Sequence, residues 1–297
     1  MASLKEVRNR IVSVNSTQQI TKAMKMVSAA KLRKAQEAIT QMRPYAQKLT
    51  EMISTVSNNT ESAKENPYTT VKNVEKVLII AVTSDRGLCG AFNANIGKAT
   101  TALISEKYAS QQENGNVEIL TIGKKGSEYL NRRGYNVNDT FTHVYSKISF
   151  SAVKEAAEFA MAGFKEGKYD VVELIYNEFK NVATQILRTE QMLPIVEKKE
   201  ENQTTTKKVS TDYIFEPSEE EIISELIPKA LKLQVYKAVL ESNASEHGAR
   251  MTAMDKATDN AGELIKALKL EYNRSRQAAI TKEILEIVGG AEALSAA

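Results

Sequence analysis

The chain has 297 residues, of which 26% are charged and 6% aromatic, with no Trp. That length holds a sizeable core and more than one structural unit, and the scarcity of aromatics suits long exposed helices better than one large globule. The single cysteine, Cys89, excludes an intramolecular disulfide framework and argues against a Cys-rich zinc site, and the longest apolar run, Val77 to Val82, is too short to span a bilayer.

From the N-terminus, one heptad frame runs through Leu4, Val7, Ile11, Val14, Leu32, Ala35, Ile39, Met42, Ala46, Leu49, Ile53 and Val56. The same frame passes through Gln18, Thr21, Lys25 and Ser28, so the seam is polar in its middle. A sustained 3.5-residue period marks helices that wind round each other. The spacing predicts a helix from about Ser3 to about Ser57, roughly 80 Å long. Pro44 is expected to kink it or end it at Arg43. Nine Lys/Arg against two acids within residues 1–43 make this segment +7, and the net +3 of the chain leaves −4 for the rest. Such a segment suits nucleic acid, an anionic membrane or an acidic protein surface. The N-terminus has no apolar signal core and reads as mature protein in a cytosolic compartment.

Residues 58–75 read as a linker. From Lys76 the period changes. Val77 to Val82 is a strand buried on both faces. A glycine-bearing loop, Thr83 to Gly90, leads into a helix reaching about Tyr108. Val117 to Ile122 is a strand, Lys125 to Arg133 a short helix, Phe150 to Lys165 a helix and Val171 to Phe179 a strand. Val182 to Ile195 completes a hairpin across Lys180 and Asn181. This alternation predicts an open, mostly parallel sheet with flanking helices. Glu197 to Ser210 is a polar, Lys- and Thr-rich loop.

The last helix is expected to start near Pro217 and Ser218, to bend at Pro228 and to run to about Val288, weakening at Gly289 and Gly290. Steps of seven give a second seam, Leu226, Leu233, Leu240, His247, Met254, Ala261 and Leu268. Beyond it, Ile280, Ile284, Ile287, Ala291 and Leu294 form an apolar tip past the reach of the first helix, which calls for a sheathing partner. The expected organisation is α/β plus a long antiparallel coiled coil: 1–57 N-terminal helix, 58–75 linker, 76–216 central Rossmann-like α/β domain, 217–297 C-terminal helix. The plain alternative is two amphipathic helices folded on a globular core.

Catalytic chemistry is hard to place. Neither Gly87-Leu88-Cys89-Gly90 nor Gly123-Lys124-Lys125-Gly126 fits a dinucleotide fingerprint or a phosphate loop. A Cys89 nucleophile would need a base, and His143 and His247 fall in different predicted units. His247 reads as a packing residue, and Asp85 and Arg86 as a local ion pair or turn contacts.

Several stretches resemble the gamma-subunit family of F-type ATP synthases. Thr17 to Val27 (TQQITKAMKMV) is similar to its N-terminal signature, and Asp85 to Gly90 (DRGLCG) to its loop after the first strand. Ser245 to Met251 (SEHGARM), Ala257 to Ala261 and Ile280 to Ala291 (ITKEILEIVGGA) are similar to its C-terminal helix. The resemblance covers the whole chain and departs noticeably only around 197–210. It implies a non-catalytic rotor with no cofactor and no metal. Its coiled coil would stand inside three alpha and three beta subunits, with catalysis on beta. Its sheet domain would sit on the membrane c-ring beside epsilon, so that proton flow drives ATP synthesis or hydrolysis by rotation. Met24 and Lys25 then match contacts with the acidic lever of beta, and Arg276, Gln277 and Thr281 contacts with a beta loop. Tyr213, Phe215 and Glu216 match the foot on the c-ring and epsilon. The implied location is peripheral, on the cytoplasmic face of a bacterial inner membrane. The cysteine pair of the light-regulated plastid form is absent. The other classes are a coiled-coil scaffold or nucleic-acid binder with an α/β domain, and an α/β enzyme with helical arms. The basic helix lacks the interleaved aromatics that stacking on single strands needs.

Overall fold

The computed structural model describes residues 4–59, 66–195 and 219–295. It forms two compact units, Ala30–Ala249 and, separately, Met1–Ala29 with Arg250–Ala297. Their elements in chain order are α1 (Leu4–Asn59), β1 (Val77–Val82), α2 (Phe92–Lys107), α3 (Ala109–Glu113), β2 (Val117–Ile122), α4 (Lys124–Asn131), β3 (Val137–Asn138), a 3-10 turn (Thr142–Ser146), α5 (Phe150–Lys165), β4 (Val171–Phe179), β5 (Gln185–Leu193) and α6 (Glu219–Ser295).

In the larger unit the sheet order is β3-β2-β1-β4-β5. Only β5 runs antiparallel, to β4. Every residue of β1 is buried, as an apolar run at the centre of a covered parallel sheet requires. Val77, Ile79 and Ala81 pack under α2 and α4 with Phe92, Ile96 and Leu130. Leu78, Ile80 and Val82 pack under α5 with Ala156, Ala160 and Phe164. Ser149 caps α5 by accepting from the Ala152 N–H at 3.3 Å. The buried carboxylate of Glu173 on β4 is satisfied by Tyr108 Oη at 2.7 Å and Lys107 Nζ at 2.6 Å, so its burial leaves no orphaned charge.

In this unit α6 carries two apolar stripes one residue apart. Ile227, Leu231, Val235, Ala238 and Val239 join the core shared by α5 and the sheet. Leu226, Ala230, Leu233, Leu240 and Ala244 meet Leu32, Ala35, Ile39, Met42 and Leu49 of α1. The helix is therefore covered from two sides, and its residues 238–248 are buried at nearly every position.

In the smaller unit α1 and α6 pair antiparallel. Lys25 meets Asp255, and Thr21 and Gln18 both meet Thr258. All the heptad positions from Leu4 to Ser28 are buried or half-buried, the polar ones included, and Met254, Ala261, Ile265 and Leu268 are buried opposite them.

The long strands and helices fall where the spacing predicts them. Helix α1 does not end at Arg43 but runs on through Pro44, and Pro228 likewise lies inside α6. Two details differ. Helix α6 continues through Gly289 and Gly290 to Ser295 instead of fading at Val288; two glycines cost about 1 kcal/mol each relative to alanine, too little to stop so long a helix. Strand β5 starts at Gln185, later than Val182. The hairpin turn spans Asn181 to Thr184, which exchange backbone hydrogen bonds while the Asn181 side chain accepts from the Ala183 and Thr184 N–H groups.

Truncating the seam tests this packing. Leu240→Ala is expected to lose about 2–4 kcal/mol in urea unfolding, through lost burial and a cavity, whereas Ile20→Ala, at a position 59% exposed on α1, should lose only about 0.5 kcal/mol. Equal losses would contradict the assigned seam.

Candidate functional site

The loop after β1 is the natural place for an anion, since it leads toward two helix N-termini. Its own oxygens fill one of them. At the start of α4, the Lys124 N–H donates to Asp85 Oδ1 at 3.2 Å, the Lys125 N–H to the Ser84 carbonyl at 3.0 Å and the Gly126 N–H to Thr83 Oγ1 at 2.9 Å. At the start of α2, Asn93 accepts from the Ser84 N–H at 3.0 Å and donates to Ser84 Oγ at 2.8 Å and to Cys89 Sγ at 3.3 Å. The glycines permit this close closure. Gly123 has φ +106°, and a Cβ there would stand 2.5 Å from the Thr83 carbonyl oxygen. The arrangement is a locked turn closed against the start of α4.

Cys89 is buried inside that turn. His143 is exposed and donates through Nδ1 to the Thr140 carbonyl at 3.1 Å. His247 is buried on α6, as a packing residue would be. Among the described residues no cluster of three or more His, Cys, Asp or Glu could hold a metal ion.

The remaining candidates lie on the two long helices of the smaller unit. Its polar mid-seam forms a shallow groove lined by Asn15, Gln18, Gln19, Lys22, Lys25, Met26, Asp255 and Thr258. Thr21 Oγ1 and Thr258 Oγ1 lie 2.7 Å apart, and Gln18 Nε2 donates to the Thr258 carbonyl at 3.3 Å. Lys25 forms an ion pair with Asp255. Its side chain stays 40% exposed, so the pair adds only about 0.2–1 kcal/mol. Met24 is half-buried beside it. Asp255 and Thr258 escape a reading in steps of seven from Leu226. A second frame four residues on, through Met251, Thr258, Ile265 and Tyr272, would have placed Thr258 on the seam.

Further along α6 the pairing runs out. Among the described residues Leu268 is the last buried one, Tyr272 and Ser275 are half-buried, and every position from 276 to 291 is exposed. Ile280, Ile284, Leu285, Ile287 and Val288 present apolar side chains there, Leu285 at 65% exposure. Arg276, Gln277 and Thr281 sit at the base of this run, where Thr281 Oγ1 donates to the Gln277 carbonyl at 2.9 Å. The side chain of Leu294 is outside the described residues, as are Tyr213, Phe215, Glu216 and the whole 197–210 loop. The basic residues of α1 from Lys5 to Arg43 are exposed, apart from half-buried Lys25.

The sequence model of a family described as "ATP synthase" matches residues 3–294. The chain is 60% identical to the ATP synthase gamma chain of Cytophaga hutchinsonii over 297 residues, which covers 99% of this chain and 100% of that one. It is 55% identical to the ATP synthase gamma chain of Flavobacterium johnsoniae over 295 residues, at 99% and 100% coverage. Among solved structures, a chain of the Euglena gracilis mitochondrial ATP synthase has the same fold. It superposes with a TM-score of 0.69 at 24% identity, covering 99% of this chain and 95% of that one. A chain of the central stalk and c-ring of the Tetrahymena thermophila mitochondrial ATP synthase gives 0.56 at 25% identity, covering 80% and 99%.

The locked turn can be probed at its glycine. Gly123→Ala must combine a strained φ with a backbone clash, and it is expected to lower stability by about 2–4 kcal/mol in urea unfolding. Gly115→Ala, at φ +72° with nothing within 4 Å, should lose only about 1 kcal/mol. Similar losses at both positions would contradict the close approach of Gly123 to Thr83.

Proposed function

The chain belongs to the gamma-chain family of F-type ATP synthases, and from that premise we propose that it acts as the rotor of the central stalk, mechanically and without catalytic groups of its own. Three alpha and three beta subunits form a threefold ring around it. A shaft of two unlike helices has no threefold symmetry, so it presents a different surface to each beta. Three chemically identical sites then hold different conformations, and turning the shaft exchanges their affinities. The shaft biases each site only by the difference in contact energy between its states.

The observation that carries this reading is the run from 276 to 291, exposed at every position and lined with apolar side chains. An apolar tip of this kind calls for a sleeve, and a sleeve of apolar contacts has few directional bonds to resist turning. Arg276, Gln277 and Thr281 at its base touch a loop of beta and hold one site in its state. Met24 and Lys25 approach the acidic lever of beta from the polar mid-seam. Lys25 serves both sides, since it is paired to Asp255 within the shaft and still 40% exposed. The exposed basic residues of α1 add long-range attraction to the same acidic surface. Tyr213, Phe215 and Glu216 form the foot on epsilon and the c-ring. Among the described residues no helix is long and apolar enough to cross a membrane. The association in this reading is peripheral, through the c-ring, on the cytoplasmic face of a bacterial inner membrane. The chain needs no cofactor and binds no nucleic acid.

Reconstitution tests the proposal. The purified chain alone should hydrolyse no ATP, and alpha with beta should gain steady ATPase activity of about tenfold or more when it is added. Arg276→Ala combined with Thr281→Ala should remove most of that gain. ATP turnover by the isolated chain, or an alpha–beta ATPase indifferent to it, would sink the reading.

A further inference from the structure

An open α/β sheet takes its ligand in the crevice outside the carboxyl ends of the strands where the chain reverses direction. Here the chain leaves β1 for β2 and β3 on one side and returns to β4 on the other. The crevice therefore lies beyond Val82 of β1 and Phe179 of β4, which run parallel. Helix α6 reaches into it. Ser242 Oγ donates to the Val82 carbonyl at 3.3 Å, and Ser245 Oγ donates to the Asn177 carbonyl at 3.0 Å. The Phe179 N–H donates to Glu241 Oε2 at 3.1 Å. The other carboxylate oxygen, Oε1, lies 3.6 Å from Arg43 of α1. Gly248 brings the same helix against the hairpin, where an added Cβ would sit 3.3 Å from the Phe179 ring and 3.5 Å from the Val182 carbonyl oxygen. All of these residues belong to the larger unit.

Glu241 is 2% exposed. A buried carboxylate is costly unless it is bonded, and an apolar residue would pack the two helices together without that cost. What the carboxylate adds is direction. Apolar contacts have no preferred orientation, whereas hydrogen bonds weaken steeply as they are bent. One side chain here ties the end of a sheet strand to both long helices, and two serines on the same helix repeat the tie to β1 and β4.

We propose that this filled crevice is the torsional joint of the rotor, with Glu241 as its positioning residue, supported by Arg43, Ser242 and Ser245, so that the site where related sheets hold a ligand here holds the shaft. The inference rests on the rotor reading above and adds to it where twist passes between the sheet and the two helices.

The test uses the complete chain assembled with alpha and beta on a surface. A bead is attached beside the sheet through Val71→Cys, an exposed position in the segment that leads into β1, and the spread of its angle is recorded during pauses at low ATP. Glu241→Leu removes the directional bonds, and the angular variance should rise about twofold. Glu241→Gln keeps an acceptor for the Phe179 N–H and should fall between. Unloaded ATP hydrolysis should stay within about twofold of the parent in both, since no group touching beta is altered. Should Glu241→Leu not assemble, Ser242→Ala with Ser245→Ala is measured in its place and should widen the distribution in the same sense. An unchanged variance, or hydrolysis that collapses with no gain in variance, overturns the joint. If the parent complex does not turn the bead at all, the rotor reading fails and the joint with it.

Discussion

The two-sided burial of α6 is the constraint on which the larger unit depends. A helix that only completed a coiled coil would need one apolar stripe, and one that only covered a sheet would also need one. This helix carries both, offset by a single residue, through Ile227 to Val239 on the sheet side and Leu226 to Ala244 on the α1 side. Neither surface can be lost without exposing the other partner's core. The sheet domain is therefore a collar fixed on one of the long helices by the same burial that recruits the second helix.

Packing alone leaves an orientation soft, and polar groups are placed where orientation matters. In the larger unit these are Glu241, Ser242 and Ser245 against the strand ends. In the smaller unit they are Gln18, Thr21 and Lys25 against Thr258 and Asp255. A polar residue on a coiled-coil seam specifies register at some cost in stability. Beyond that polar section the seam is apolar again to Leu268, and past Tyr272 and Ser275 every position of α6 to 291 is exposed. Within the smaller unit the order along α6 is thus register, pairing and exposed tip.

Much of this was legible in the residues. The heptad frame from Leu4 to Ser28 is buried or half-buried at every step because a 3.5-residue period forces one stripe onto the partner helix. Strand β1 was legible because six consecutive apolar residues can only be satisfied with both faces covered. The parts that escaped are those whose signal lies in tertiary contact. Strand β3 is two residues at a sheet edge, held by pairing with Ile119 and Leu120, and carries no periodicity. Glu241 looks like a solvated charge on a helix, and only the Phe179 N–H and Arg43 reveal why it is buried. Asp255 is likewise an ordinary helical acid until Lys25 stands opposite. The loop at Gly87 to Gly90 offers the reverse case. Its composition suggests an anion site at the start of the helix that follows, whereas the oxygens of Thr83, Ser84 and Asp85 are spent on the first N–H groups of α4, a neighbour that only the fold brings beside it.

The claim on which the rest turns is that this chain is one asymmetric shaft in a threefold ring. A native mass spectrum of the complex that co-purifies with the chain from detergent-treated membranes tests it most directly. One copy of the chain with three alpha and three beta subunits, in a complex whose ATPase is lost when the chain is removed, is the predicted result. A free chain, a homodimer, or a complex carrying three copies to match the ring would contradict it.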